Sequence, residues 1–470
     1  MMKIKKIALL ILVATVFTGC FEDLDDNPIS SKDVKDFVWK GMNSYYLYKE
    51  NIPNLANDRF TNDSEYSEYL NGFSTPEELF ESLIHDREHV DRFSWITSDY
   101  IALEQFLSGN SQSTGAEFDF YFEPGSTTQL FGVIRLVLNN SPAENQGLQR
   151  GQIFNAINGT SLTESNYSAL LNQSSYTLNL ANYNNNGTPS ITDDSIDSTS
   201  ESVTLSRINY SENPIHKTEI IEVNGENVGY LMYNGFTSSY NNQLNFAFDD
   251  FQANNVQHLI LDLRYNPGGS ILSATLLGSM ITGQFNGEVF SKLEYNSDLQ
   301  SNNTIYNFTD SFSGNSINSL NLNKVYILTT DSSASASEMI INSLSPYIDV
   351  IQIGQVTTGK SQASITIYDS PDYGRSGANP NHNYALQPLV AKTVNSLDQS
   401  VPSSGITPTI TINENPMNYG ALGHEDEPLL ATAIQHIIDN GRVSAPEQYD
   451  FKRIKSTVDD HPLQNDMYID

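Results

Sequence analysis

Apolar positions recur at helical spacing from Val34 through Phe37, Val38, Met42 and Tyr45. Thr75-Pro76-Glu77-Glu78 then sets a cap, a first-turn proline and a capping-box glutamate ahead of Leu79-Phe80. These signals predict an N-terminal helical domain over residues 33–110. From 111 to 207 the period shortens to two: runs such as EFDFYF and VIRLVL, separated by turn residues, predict a β-rich domain. Within it, residues 182–202 (NYNNNGTPSITDDSIDSTSES) have no apolar face and are expected to form a mobile loop or a hairpin insertion. Over 208–441, strand-like runs (VGYLMY, HLILDLR, KVYILTT, DVIQIG) alternate with helix-like ones (NQLNFAFDDFQ, SASEMIINSL, PLLATAIQHII). Such alternation implies crossover units and a mainly parallel sheet, so the fold class is multidomain α/β. Residues 442–470 read as a C-terminal tail.

The first residues follow a different logic. Lys3, Lys5 and Lys6 precede an apolar run from Ile7 to Phe17 that is too short to span a bilayer, which needs roughly 20 residues. That is a secretory signal peptide, residues 1–19. Phe17-Thr18-Gly19-Cys20 resembles a bacterial lipobox, which implies cleavage before Cys20 and lipidation of its thiol. Residues 20–32 read as an acidic tether, and acidic residues after the lipidated cysteine resemble export signals of Bacteroidetes surface lipoproteins. The expected location is the bacterial cell envelope, at the periplasmic or surface-exposed face of the outer membrane, with the lipid as the sole membrane contact.

Composition narrows the chemistry. The 470 residues carry 24 basic and 56 acidic side chains, a net charge of -32 that repels phosphate backbones and excludes nucleic acid as a partner. Cys20 is the single cysteine, so cysteine catalysis, disulfides and thiolate metal sites are excluded from the folded domains. His85 and His89 stand at i, i+4 without the glutamate placement of a zinc-protease helix or an evident third ligand, so no metal is expected.

Reactive groups in open α/β sheets gather at the carboxyl ends of strands, and three loops there stand out. LILDLRYNPGGS places Gly268 and Gly269 where backbone N–H groups can approach a ligand unobstructed, as an oxyanion hole requires. VYILTTDSSASASEMIINSL sets Ser332, Ser333, Ser335 and Ser337 at a strand-to-helix junction, where helix N–H groups are unpaired and the dipole favours developing negative charge. Ser335-x-x-Glu338 is equally a capping box, which needs no catalytic role. QVTTGKS offers Lys360, a usable general base where burial lowers its pKa from roughly 10.4 toward about 7 to 8.

Two segments carry a resemblance to known families. SPAENQGLQRGQIFNAING (141–159) is similar to the corresponding stretch of PDZ domains, departing at Gln152 where aspartate is usual. By that resemblance the loop at Gly115 and Ala116 supplies peptide-binding N–H groups, and protein or peptide substrates are the partners. DLRYNPGG, SSASASE and TTGK together resemble the C-terminal processing, or tail-specific, serine proteases, distant relatives of the tricorn core protease. SYYLY (44–48) and DRFSWI (91–96) resemble their Bacteroidetes-type lipoprotein branch.

The resemblance implies a crotonase-like or ClpP-like protease core and a serine endopeptidase with a Ser-Lys dyad, acting on C-terminally recognised or unfolded proteins without a cofactor. Its nucleophile precedes its base by 25 residues, and 360 − 335 = 25 selects Ser335 and Lys360. It further implies an oxyanion hole from Gly268 or Gly269 with Ala336. The glutamine usual four residues after the lysine is Ser364 here, and Gln362 is the candidate for orienting Lys360. Gly405-Ile406-Thr407-Pro408-Thr409 departs from the family's GI-x-PD as well. The alternative reading is a catalytically inactive, lipid-anchored peptide-binding scaffold with the same fold.

Overall fold

A computed structural model describes residues 31–188, 190, 193–439, 441, 451, 453–457 and 467–469. The signal segment 1–19, Cys20 and the tether up to residue 30 lie outside the described residues. Among the described residues no helix is long and apolar enough to cross a membrane, and no cluster of side chains could hold a metal ion.

Helix α1 (Ser31–Tyr45) begins inside the expected tether and buries Val34, Phe37, Val38 and Met42, the positions its spacing put on one face. Helices α2 (Asp63–Asn71) and α3 (Pro76–Ser82) pack beside it. In α3 the Thr75 hydroxyl accepts the Glu78 N–H at 3.1 Å while Glu78 accepts the Ser74 N–H at 2.7 Å, so reciprocal bonds satisfy the orphan donors of the first turn. This helical region does not close on itself. Ile367 and Leu386 share its core, and Trp95–Thr97 pairs with Ala385–Gln387, so strands from far along the chain complete it. Helix α4 (Tyr100–Leu107) leads into the next layer.

The β-rich layer contains β1 (Ala116–Phe122), β2 (Leu130–Val137), β3 (Ile153–Ile157), β4 (Ser175–Asn184) and β5 (Ser195–Ser206). They pair antiparallel in that order around an aromatic core that includes Phe118, Phe120 and Phe154. Ser141 caps a short helix, Pro142–Asn145, and Gln152 accepts the Gln149 N–H at 2.8 Å in the turn before β3. The polar stretch 182–202 falls on the β4–β5 hairpin: its ladder runs through backbone groups and needs no apolar face.

The core sheet is built from β6 (Ile215–Val223), β7 (Glu226–Tyr233), β8 (Val256–Asp262), β12 (Lys324–Thr329), β13 (Asp349–Gly354) and β16 (Ile410–Thr411), in that spatial order. β6 is antiparallel to β7 and every other neighbouring pair is parallel. Helices α5 (Asn241–Ala253), α6 (Ile271–Thr282), α7 (Ala336–Leu344) and α8 (Pro428–Ile438) supply crossovers and cover its faces. A second sheet combines β9 (Gly269–Ser270), β10 (Val289–Tyr295), β11 (Thr304–Asn307), β14 (Gln362–Ser364) and β15 (Leu389–Val394). The C-terminal region contributes a strand to each of two sheets: β17 (Arg453–Ser456) joins the β-rich layer beside β1, and β18 (Met467–Tyr468) lies between β9 and β14.

Candidate active site

The loop after β8 is anchored by a buried charge network. Arg264 bonds Asp262 through Nε at 2.9 Å and Glu427 through Nη1 at 2.6 Å, and Glu427 also accepts the Leu430 N–H at 2.9 Å to cap α8. Pairing and hydrogen bonding together let these charges stay inside. Two residues on, Asn266 donates to the Tyr233 carbonyl at 2.7 Å and accepts the Gly268 N–H at 2.9 Å. That bond commits the Gly268 N–H, leaving Gly269 as the glycine of the pair whose amide is not tied to Asn266. Gly269 has φ +128°, and a Cβ there would stand 2.4 Å from the Phe236 carbonyl oxygen, so no other residue fits.

The second loop is sewn to the first. Ser333 donates to the Leu263 carbonyl at 2.8 Å, Ser337 donates to the Asn266 carbonyl at 2.9 Å, and the Ala334 N–H donates to the same Asn266 oxygen at 3.1 Å. Ser332 accepts from Arg135 of β2 at 3.2 Å. Three of the four candidate serines are thus occupied in holding the loop. Ser335 differs: it is fully buried and forms a capping box with Glu338 at the head of α7, yet its Oγ makes no hydrogen bond of ordinary geometry among the described residues. It also sits at φ +64°, ψ −116°, a conformation that costs a non-glycine residue about 1–3 kcal/mol. A cap does not need this backbone conformation, since an N-cap residue ordinarily sits in the extended region, so the strain at Ser335 goes beyond what capping requires. Ala336 follows at the first helical position of α7, where the N–H has no intrahelical acceptor.

Glu338 ties the second loop to the third. Its Oε2 accepts the Ser335 N–H at 2.8 Å and the Lys360 N–H at 2.8 Å; its Oε1 accepts the Gly359 N–H at 2.7 Å and the Thr357 hydroxyl at 2.5 Å. The backbones of Ser335 and Lys360 therefore converge on one carboxylate oxygen. Burial pushes the Glu338 pKa up, opposed by these four bonds. The sequence exposed Glu338 only as a capping residue; its second role, gripping the lysine loop, has no local signature.

Lys360 is 1% exposed, and its Nζ lies 5.1 Å from the centre of the Phe93 ring. The neighbouring Arg92 donates through Nη2 to the carbonyls of Thr358, Gly359 and Ser403 at 3.1, 2.9 and 3.1 Å. The DRFSWI stretch of the helical region is thus packed on the lysine loop. Gln362 donates to the Tyr48 hydroxyl at 3.0 Å while its buried Oε1 has no hydrogen-bond partner among the described residues, Lys360 included. Ser364 points elsewhere, donating to the Met467 carbonyl at 3.1 Å.

Gly115 and Ala116 stand apart from these three loops, at the start of β1. Gly115 has φ +76°, and a Cβ there would stand 2.0 Å from Cβ of Ser141. A cavity of about 500 Å³ between the β-rich layer and the core is lined by Ala116, Phe118, Arg135, Glu212 and Pro267, and so joins the two regions.

The chain has recognisable relatives. Peptidase family S41 matches residues 227–412, and the peptidase S41 N-terminal domain matches residues 33–95. A carboxyl-terminal-processing protease of Picosynechococcus sp. is 24% identical over 229 residues, 49% of this chain and 49% of that protein. A protein described as a CtpA-like serine protease in Staphylococcus epidermidis is 28% identical over 159 residues, 34% of this chain and 30% of that one. The chain therefore spans about half the length, or less, of these curated relatives. A crystal structure described as that of an S41 protease from Bacteroides fragilis superposes with a TM-score of 0.69 at 29% identity, covering 86% of this chain and 97% of that one.

Proposed function

We propose, from the match of peptidase family S41 to residues 227–412 and of its N-terminal domain to residues 33–95, that this protein is a serine endopeptidase of the C-terminal processing type with Ser335 as nucleophile and Lys360 as general base. The observation that carries the reading is the shared Glu338 carboxylate, which holds the backbone of the buried, strained Ser335 and the backbone of the buried Lys360 on one oxygen. Lys360 Nζ takes the proton of Ser335 Oγ as Oγ bonds to the carbonyl carbon of the scissile peptide. The N–H groups of Ala336 and Gly269 receive the oxyanion. The C–N bond then breaks, the lysine proton passes to the leaving amine, and water hydrolyses the acyl-enzyme with Lys360 again accepting a proton. None of these steps calls on a cofactor.

The β-rich layer acts in this reading as a PDZ-like domain. Its β1 edge adds an extended substrate strand, with the Gly115-Ala116 turn at the end of the groove. The mature protein hangs from the envelope by a lipid on Cys20. Ser335→Ala and Lys360→Ala are expected to abolish cleavage of an unstructured substrate such as β-casein, with unchanged circular dichroism. A purified Ser335→Ala protein that cleaves at the wild-type rate would overturn the assignment.

A further inference from the structure

The C-terminal region occupies the two places an incoming polypeptide needs. β17 pairs antiparallel with β1, Arg453 opposite Tyr121 and Ser456 opposite Asp119, and Thr457 extends the ladder by donating to the Phe118 carbonyl at 3.0 Å. The segment runs toward the Gly115-Ala116 turn, the direction a peptide takes when it adds to such an edge. Further on, β18 lies parallel to β9, with Met467 opposite Gly269 and Tyr468 opposite Ser270. On its other side Tyr468 is parallel to Ser364 of β14, and the Ile469 N–H donates to the Ser364 carbonyl at 3.2 Å. Met467 is fully buried in the same apolar cluster as Ala336 and Ala363.

β18 is the strand that joins β9 to β14. Withdrawing it leaves two strand edges facing each other, one carrying Gly269 and the other starting two residues after Lys360. A peptide entering that slot would take the place of Met467 opposite Gly269, the glycine of the proposed oxyanion hole. Charge favours the same occupant. The run Phe451 to Lys455, FKRIK, is basic in a chain of net charge -32. Arg453 bonds Asp119 on β1 at 3.2 Å and also pairs with Asp331, four residues before Ser335. One side chain thus clamps the β-rich layer to the loop of the nucleophile.

We propose that the two described C-terminal segments, 453–457 and 467–469, act together as a built-in competitor, a tethered pseudosubstrate whose first part fills the peptide edge and whose second fills the cleavage slot; the inference rests on the proposed peptidase reading. Tethering supplies an effective concentration in the millimolar range, so a segment of weak intrinsic affinity still holds its place while remaining displaceable. The polypeptide that displaces it is extended, with a basic residue at the Arg453 position and an apolar one at the Met467 position.

The test pairs Thr457→Pro, which removes a ladder donor, with Met467→Asp, which puts a charge into the buried slot. The double variant is expected to cleave β-casein with kcat/KM at least tenfold above wild type. A fluorescein-labelled peptide of residues 451–469 is then titrated by anisotropy against both proteins on a Ser335→Ala background. Binding at least tenfold tighter to the double variant supports the competitor, and equal binding overturns it. Should the double variant fold poorly, the same peptide added in trans to wild type is expected to inhibit competitively where a scrambled peptide does not; equal effects of the two overturn the proposal. If neither wild type nor variant cleaves, the peptidase reading fails, and the anisotropy titration still decides the occupancy of the groove.

Discussion

The loops around Ser335 and the sheet edge around Ala116 both hold a chain in place, and they do so by different means. Near Ser335 the ties are buried side chains gripping backbone: Glu338 accepts four donors, while Ser333 and Ser337 donate to carbonyls of the glycine loop. Along β1 the outer partner is held mainly by a backbone ladder, which any extended polypeptide can reproduce. In the proposed reaction the first arrangement would fix donors where charge develops, as preorganised catalysis requires. The second could be exchanged for another strand, as the proposed substrate capture requires. Rigidity and exchangeability are thus divided between two regions joined at one cavity.

Removing the central tie should erase the difference. Glu338→Ala leaves four donors without their acceptor, each orphan costing about 1–3 kcal/mol. The expected result is a loss of more than about 100-fold in kcat together with a lowered melting temperature, and Glu338→Gln recovers part of both. A wild-type rate in Glu338→Ala would show that the loops are held some other way. Gly269→Ala comes next: the new Cβ meets the Phe236 carbonyl at 2.4 Å, so the loop must shift. We expect a loss of about 100-fold, what a misplacement of about 1 Å costs, in kcat and not in KM. Arg92→Ala removes the three carbonyl contacts that hold the lysine loop from outside. It should lower kcat about tenfold while binding of the labelled 451–469 peptide stays unchanged; a change in binding alone would place Arg92 on the exchangeable side.

What the sequence disclosed follows the same division. The three loops were legible because each is a short local motif at a strand end, and the 25-residue interval of the proteases they resemble pointed to Ser335 and Lys360. The capping glutamate was legible, but not its bonds to Thr357, Gly359 and Lys360, because those depend on a loop from another crossover unit. Gly268 and Gly269 look alike in sequence, and only the Asn266 side chain distinguishes their amides. The helical region read as a separate domain because its periodicity is local, whereas Ile367 and Leu386 in its core come from almost 300 residues away. Least legible was the C-terminal region. A four-residue strand pairing with a partner more than 330 positions earlier leaves no periodic trace, since the contact is made by backbone.

The smallest expected effect lies at the seam between the two regions. Glu212 lines the cavity that joins them and accepts from the Asn234 amide at 3.0 Å. Desolvation, aided by the nearby Glu117 carboxylate and opposed by the Asn234 bond, pushes its pKa up to about 7. In the unfolded chain the same group loses its proton near the ordinary value of about 4.3. Between these values the folded state binds more protons than the unfolded state, so stability must fall as pH rises. The contribution is fully present below about pH 4.3 and is lost as pH climbs through about 7, where two carboxylates come to face each other across the seam. Thermal unfolding of wild type is expected to lose a few degrees between about pH 5 and about pH 8, and Glu212→Gln should flatten that slope. If the slope survives in Glu212→Gln, other groups set the pH response and the seam is not its source. If it vanishes and cleavage by wild type rises over the same interval, the junction loosens before the peptide edge is released, tying exchange at β1 to protonation beside the glycine loop.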